Sequence, residues 1–239
     1  MSRLRDTLQA NLRGVHERIT QAARGAGRSG DEIVLLAVSK TFPAETVIAA
    51  SQCGQSSFGE NYVQEALDKI ARVRELAPGL AVSWHFIGPI QSNKTRAIAE
   101  HFTWVQSVDR LKVAERLSQQ RPPRLGPINV LLQVNISGES TKSGVAPEAI
   151  PDLARSVAAL PQLALRGLMA IPEPDANPAR QAGSLARMNS LFVALRRDHP
   201  SCDTLSMGMS ADLEAAIAAG STMVRIGTAI FGERERTAA

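Results

Sequence analysis

Cysteine is almost missing from this 239-residue chain. Cys53 and Cys202 lie far apart and match neither a metal-ligand pair nor a disulfide framework. Aromatic residues make up 4% and include one tyrosine, Tyr62. With a net charge of +4 the chain is basic, but its arginines are scattered singly or in pairs. No basic stripe interleaved with stacking residues results, and nucleic-acid binding is not indicated. No apolar run approaches the ~20 residues that a membrane-spanning helix needs. The N-terminal segment reads as a charged amphipathic helix instead of a signal peptide, so a soluble, cytoplasmic protein without membrane contact is expected.

Lysine is the next scarcity, with five against twenty-two arginines. Lys69, Lys94, Lys112 and Lys142 sit among polar neighbours, where a solvated ammonium costs little. Lys40 does not, because it ends the apolar run Ile33–Val38. That run reads as a strand buried on both faces. Partial desolvation at the strand's mouth favours the neutral amine, the form that condenses with an aldehyde. The competing reading is a lysine that caps the strand and snorkels to water.

What is abundant is alternation. Leu4, Leu8, Leu12, Val15, Ile19 and Ala22 share one helical face, followed by a glycine-rich loop over 25–30. Apolar runs then recur at 33–38, 56–59, 84–88, 102–108, 128–136, 165–171, 204–209 and 223–231. Helical patterns separate them, including 109–119 with Asp109 as N-cap and 211–219 opening at Ser210. Two loops break the rhythm: the polar 137–144 and a stretch holding Pro172, Pro174 and Pro178. Eight strand–helix alternations without a linker predict a single α/β domain over 1–239, a (β/α)8 TIM barrel preceded by an N-terminal helix. An open doubly wound sheet is the alternative, but no glycine-rich dinucleotide fingerprint or P-loop follows any strand.

In a barrel, chemistry belongs at the C-terminal ends of the strands. Residues there are Lys40, Asn61, His85, Asn135, Met169, the run Ser206–Ser210 and the run Arg225–Thr228. Loops after the seventh and eighth strands commonly hold phosphate. Ser210 is placed to offer a hydroxyl and free N–H groups, or simply to cap a helix. Gly227 either admits close backbone approach or marks tight packing, and Thr228 adds an N–H and a hydroxyl. Arg225, inside an apolar strand, needs a partner. Either a barrel glutamate pairs with it, or it donates to a pyridine nitrogen as in pyridoxal-phosphate sites.

The motifs Ala37–Lys40, Phe58–Tyr62, Trp84–Gly88, Gln91–Lys94, Gly167–Met169, Leu205–Ser210 and Arg225–Gly232 resemble, in order and along nearly the whole chain, the pyridoxal-phosphate homeostasis protein family (YggS-like and PROSC-like proteins). The resemblance implies a barrel similar to the N-terminal domain of alanine racemase, without its C-terminal β-domain. It also implies pyridoxal 5'-phosphate held by Lys40 as an internal aldimine. By the same resemblance Met209, Ser210, Gly227 and Thr228 belong to the cofactor site, the last three on the phosphate. Arg225 would face the pyridine nitrogen, with Asn61 and His85 lining the ring. Thr141, before Lys142–Gly144, departs from the family's usual serine.

Two functions follow from such a site. One is a carrier that buffers the reactive aldehyde and delivers it to apo forms of pyridoxal-phosphate enzymes. The other is an amino-acid racemase of low activity. A two-base racemase needs an acid/base opposite the lysine, which the related racemases draw from a C-terminal domain. This chain ends at Ala239, soon after the eighth strand, and Tyr62 is its sole tyrosine. An arginine at the ring nitrogen also disfavours a pyridinium, since two positive charges would adjoin. The expectation is therefore a carrier without robust catalysis, and a monomer.

Overall fold

The computed structural model describes residues 2–138, 143–171 and 177–233. Helix α1, Ser2–Gly25, buries Leu8, Leu12, Val15, Ile19 and Ala23. The stripe thus closes on Ala23 instead of Ala22, and Leu4, expected on the same face, is 41% exposed. Alternation then begins with strand β1, Val34–Val38, helix α2, Ala44–Gln52, strand β2, Ser57–Glu60, and helix α3, Val63–Leu76. Strand β3, Ser83–Phe86, helix α4, Thr95–His101, strand β4, Trp104–Val108, and helix α5, Leu111–Gln120, follow. The second half runs β5, Ile128–Gln133, α6, Ile150–Ala158, β6, Leu163–Met169, α7, Pro178–Asp198, β7, Thr204–Ser206, α8, Leu213–Ala218, β8, Met223–Ile226, and the single turn α9, Thr228–Phe231.

All eight strands are parallel and close into a barrel in chain order, with β1 paired to both β2 and β8. This is the (β/α)8 architecture that the alternation predicts. Because side chains alternate across a strand, Leu36, Ile87 and Met223 form a small cluster inside the barrel, separate from the shell between strands and helices. In that shell Phe58, Phe86 and Phe102 are fully buried, each worth roughly 1.5–3 kcal/mol.

The departures from expectation lie at element ends. Val34 is 43% exposed, so β1 is not covered on both faces from its first residue. After β5, Val134 forms a parallel bridge to Val145, and the regular strand ends at Gln133 instead of Ile136. β6 lies against β7 at Gly167, which has φ +144°, and an added Cβ there would fall 1.9 Å from Thr204 O. Only glycine permits that approach. β7 stops at Ser206, and Gly208 at φ +96° turns the chain away from the ladder. β8 stops at Ile226, so 228–231 is helical and not strand. Asp109 does not cap α5; its carboxylate accepts from Arg110, the residue at the cap position. Among the described residues no helix is long and apolar enough to cross a membrane. Thr141 and Lys142, with Pro172 and Pro174, lie outside the described residues.

Candidate functional site at the C-terminal mouth of the barrel

A cavity of about 370 Å³ opens at the C-terminal ends of the strands, within the usual size of a small-molecule site. It is lined by Val38, Lys40, Phe42, Asn61, Ile87, Ile171, Met209, Ser210, Ala211, Arg225, Gly227, Thr228 and Gly232. Seven of the eight residues read from the sequence as cofactor-binding therefore meet in one place: Lys40, Asn61, Met209, Ser210, Arg225, Gly227 and Thr228.

Lys40 stands two residues past β1. Ser39 N still donates to Gly59 O, and Thr41 at φ +72° turns the chain sharply. Lys40 itself is half-buried. On the neighbouring strand β8, Arg225 is 4% exposed. Its Nη1 donates to Ser206 Oγ at 2.7 Å and its Nη2 to Ala170 O at 2.8 Å. A glutamate partner, one of the two readings of this arginine, is not found among the described residues; a hydroxyl and a backbone carbonyl accept instead. Burial lowers the guanidinium's pKa to about 10, opposed by the nearby Asp212 carboxylate, so it keeps its charge at neutral pH.

Asn61 follows β2 directly, where Gly88 makes room for it. A Cβ at Gly88 would fall 2.0 Å from Asn61 O. The Oδ1 of Asn61 is buried with no hydrogen-bond partner among the described residues, an acceptor left for a group that enters the cavity. On the other wall, the turns after β7 and β8 bring backbone N–H groups to the cavity. Ile230 N and Phe231 N both donate to Gly227 O, so the N–H groups of Thr228 and Ala229 head that turn. Gly227 has an ordinary negative φ, and its missing Cβ would lie 3.3 Å from Val38 O; its place is a close packing of β8 on β1.

Three expectations need correction. Ser210 does not cap a helix, because α8 starts at Leu213 with Asp212 at the cap position, and Asp212 Oδ1 accepts from Met209 N. Ser210 lies instead in the turn ahead of it. His85 does not line the cavity. Both His85 and Ile87 point inward, but Ile87 is two residues nearer the mouth, which puts His85 about 6–7 Å deeper by strand rise. There its ring stacks on Trp104 at 5.2 Å, with Nδ1 3.0 Å from Gln106 Nε2 and Nε2 3.2 Å from Ser83 Oγ. Burial holds its pKa at about 3, so it is neutral. Lys69, read as solvated, is 5% exposed and ion-paired to Glu60 and Glu65.

Asn135 and Met169 also lie outside the cavity wall. Asn135 Oδ1 accepts from Ser137 and Gly138 in its own loop, and Met169 is buried. What the sequence reading missed is the role of α1. Arg18 Nη2 donates to Ser210 O at 3.0 Å, while Arg18 pairs with Glu214 at 2.8 Å. Asn11 Nδ2 donates to Ile230 O at 2.8 Å. The N-terminal helix thus ties down both turns that face the cavity, and no local pattern announces it. Ile87, Phe42 and Ile171 were likewise unassigned, although Ile87 lies within a motif already singled out.

Among the described lining residues, Lys40 and Arg225 are the only ionisable side chains, both basic residues. With the N–H groups of two turns and an orphaned amide oxygen, the wall suits an anionic, partly aromatic ligand. A pyridine ring with a phosphate and an aldehyde fits this donor set.

Residues 6–235 match the family described as alanine racemase, N-terminal domain. A curated relative from Pseudomonas aeruginosa, named pyridoxal phosphate homeostasis protein, is 58% identical over 229 residues, 96% of each chain. A relative of the same name from Escherichia coli K12 is 55% identical, covering 94% of this chain and 96% of its own. Among solved structures, PipY of Synechococcus elongatus with PLP bound is 34% identical, with a TM-score of 0.77 over 90% of this chain and all of that one. Alanine racemase from Corynebacterium glutamicum, 17% identical, has a TM-score of 0.68 over 98% of this chain and 63% of its own, a likeness of fold.

Proposed function

The chain belongs to the alanine racemase N-terminal domain family, and on that premise we propose that it binds pyridoxal 5'-phosphate and serves in homeostasis of that cofactor. The observation that carries this reading is the meeting, in one cavity, of Lys40, Arg225 and the turns after β7 and β8. Lys40 supplies the amine. Ser210, Gly227 and Thr228 hold the phosphate through the Ser210 and Thr228 hydroxyls and backbone N–H groups. Met209 packs at the same wall and Asn61 Oδ1 accepts from the ring's substituents. Arg225 faces the ring nitrogen, and its charge keeps that nitrogen from taking up a proton. When bound, the cofactor supplies an electrophilic aldehyde and an electron-withdrawing ring.

The same geometry speaks against an efficient racemase. Two-base proton transfer needs a second acid/base facing the lysine. Among the described lining residues none is present besides Arg225, which remains charged and donates to Ser206 and Ala170. Tyr62 is 59% exposed and outside the cavity wall. Delivery to apo enzymes, action in the cytoplasm and a monomeric state complete the proposal.

Reduction with borohydride, followed by peptide mass spectrometry, tests it. The protein loaded with pyridoxal phosphate is expected to carry the fixed adduct on Lys40. Lys40→Ala is expected to lose the adduct while keeping weak binding through the phosphate wall. An adduct on another lysine overturns the assignment. Lys40-dependent racemase or decarboxylase turnover at about 1 s⁻¹ or faster, the low end of ordinary enzymes, overturns the carrier reading.

A further inference from the structure

One cluster of charged side chains grips the backbone on both sides of Lys40 without lining the cavity. Lys69 of α3 donates from Nζ to Ser39 O at 2.7 Å, to Glu60 Oε1 at 2.7 Å and to Glu65 Oε1 at 3.0 Å. Ser39 Oγ donates to Glu60 Oε1 at 2.6 Å. Thr41 N donates to Glu65 Oε1 at 2.5 Å. Three of these contacts therefore end on Ser39 and Thr41, the two residues that flank Lys40.

Both parts of this arrangement are costly. Thr41 is β-branched and sits at φ +72°, a conformation that costs on the order of 1–3 kcal/mol outside glycine. Glu60 is fully buried, its Oε2 has no partner among the described residues, and burial raises its pKa. Taking a carboxylate and an ammonium out of water costs several kcal/mol per ion. A barrel that needed only stability would be served as well by apolar side chains between β2 and α3. Both costs fall where the chain leaves β1 and presents Lys40.

We propose that Lys69, Glu60 and Glu65 are positioning residues for Lys40, clamping Ser39 and Thr41 so that the lysine leaves the turn in one direction, toward the cavity. This rests on the reading that Lys40 is the covalent anchor. In the capture step the neutral Lys40 amine would add to the aldehyde carbon, C=N would replace C=O, and the oxygen would leave as water with the two amine hydrogens. On that reading the ring and phosphate are held by β8 and the turns after β7 and β8, not by the turn that carries Lys40, so capture depends on where Nζ stands, and non-covalent binding does not. A misplacement of about 1 Å is enough to slow such a step on the order of 100-fold.

The test compares pyridoxal 5'-phosphate with pyridoxine 5'-phosphate, whose alcohol cannot condense, on wild type, Lys69→Met and Glu65→Ala. The full chain is used throughout. Capture rate is read from the growth of visible absorbance and from the borohydride-fixed adduct; affinity for the alcohol is read by calorimetry. Lys69→Met is expected to slow capture roughly 10–100-fold while affinity for the alcohol stays within about twofold. Glu65→Ala, which removes a half-exposed side chain and leaves Glu60–Lys69 paired, is expected to show the same split at a smaller size, and it carries the test if Lys69→Met does not fold. Parallel loss for both ligands, or no loss for either, overturns the clamp. A wild-type protein without an adduct on Lys40 overturns the anchor reading instead, before any variant is compared.

Discussion

His85→Gln separates the floor of the barrel from its mouth. Gln106 Oε1 accepts from the Ser206 hydroxyl at 2.7 Å, so the Gln106 amide nitrogen is the group that meets His85. His85 Nδ1 therefore accepts, and Nε2 carries the hydrogen toward Ser83. Burial holds the folded-state pKa at about 3, against 6.5 for the free group. The unfolded chain takes up this proton below pH 6.5, and the folded chain does not until pH falls to about 3. Stability from His85 is thus fully present above pH 6.5 and is lost as pH falls through that window. At about 1.4 kcal/mol per pH unit, the loss from His85 is roughly 3 kcal/mol by pH 4 and about 4 kcal/mol by pH 3, where the folded group begins to titrate as well. Glutamine offers an acceptor and a donor in similar places and does not titrate. Urea unfolding at pH 7, 5 and 4 is the assay. The variant is expected to lose about 3 kcal/mol less than wild type between pH 7 and pH 4. At pH 7 it should be weaker by about 1 kcal/mol through the lost stacking on Trp104. Carboxylates with lowered pKa values, Glu32, Asp203 and Glu214, titrate in both proteins and cancel. Parallel pH curves would refute a buried neutral histidine. A loss of pyridoxal-phosphate affinity beyond about tenfold, or 1.4 kcal/mol, would return His85 to the ring.

Ser210→Ala is expected to weaken binding of pyridoxal phosphate by roughly 1–3 kcal/mol, the range for one hydrogen bond to a charged group, and to leave binding of pyridoxal unchanged. Calorimetry with both ligands checks it, and equal wild-type affinity for the two removes Ser210, Gly227 and Thr228 from the site. Arg18→Ala should also weaken phosphate binding, by about 1 kcal/mol, because Ser210 O loses its donor on α1. Its effect on thermal stability should be small, since the Arg18–Glu214 pair is exposed. Gly88→Ala drives a Cβ to within 2.0 Å of Asn61 O, so a destabilisation of about 3 kcal/mol or more is expected. An unchanged melting temperature would show that the Asn61 backbone yields without cost.

The sequence by itself determined the order of elements and seven residues of the cavity wall. Periods of two and 3.6 are local properties, and eight alternations of them leave the closed parallel barrel as the fold. Lys40 and Arg225 were legible for a similar reason, one as a charge at the end of an apolar run and the other as a charge inside one. The turns at Ser210 and Gly227 were legible because glycine and serine cluster after apolar runs. What only the tertiary structure decided is depth and partnership. His85 and Ile87 share one face of one strand, and an offset of two residues along the barrel axis puts one at the cavity and the other beneath it. Lys69 has polar sequence neighbours, but what surrounds it in space is β2 and the turn after β1. Arg225 finds Ser206 and Ala170, 19 and 55 residues away in the chain. Burial and contacts such as Lys69 to Ser39 or Arg225 to Ala170 belong to segments brought together by barrel closure, and no short window along the chain contains both members of such a pair.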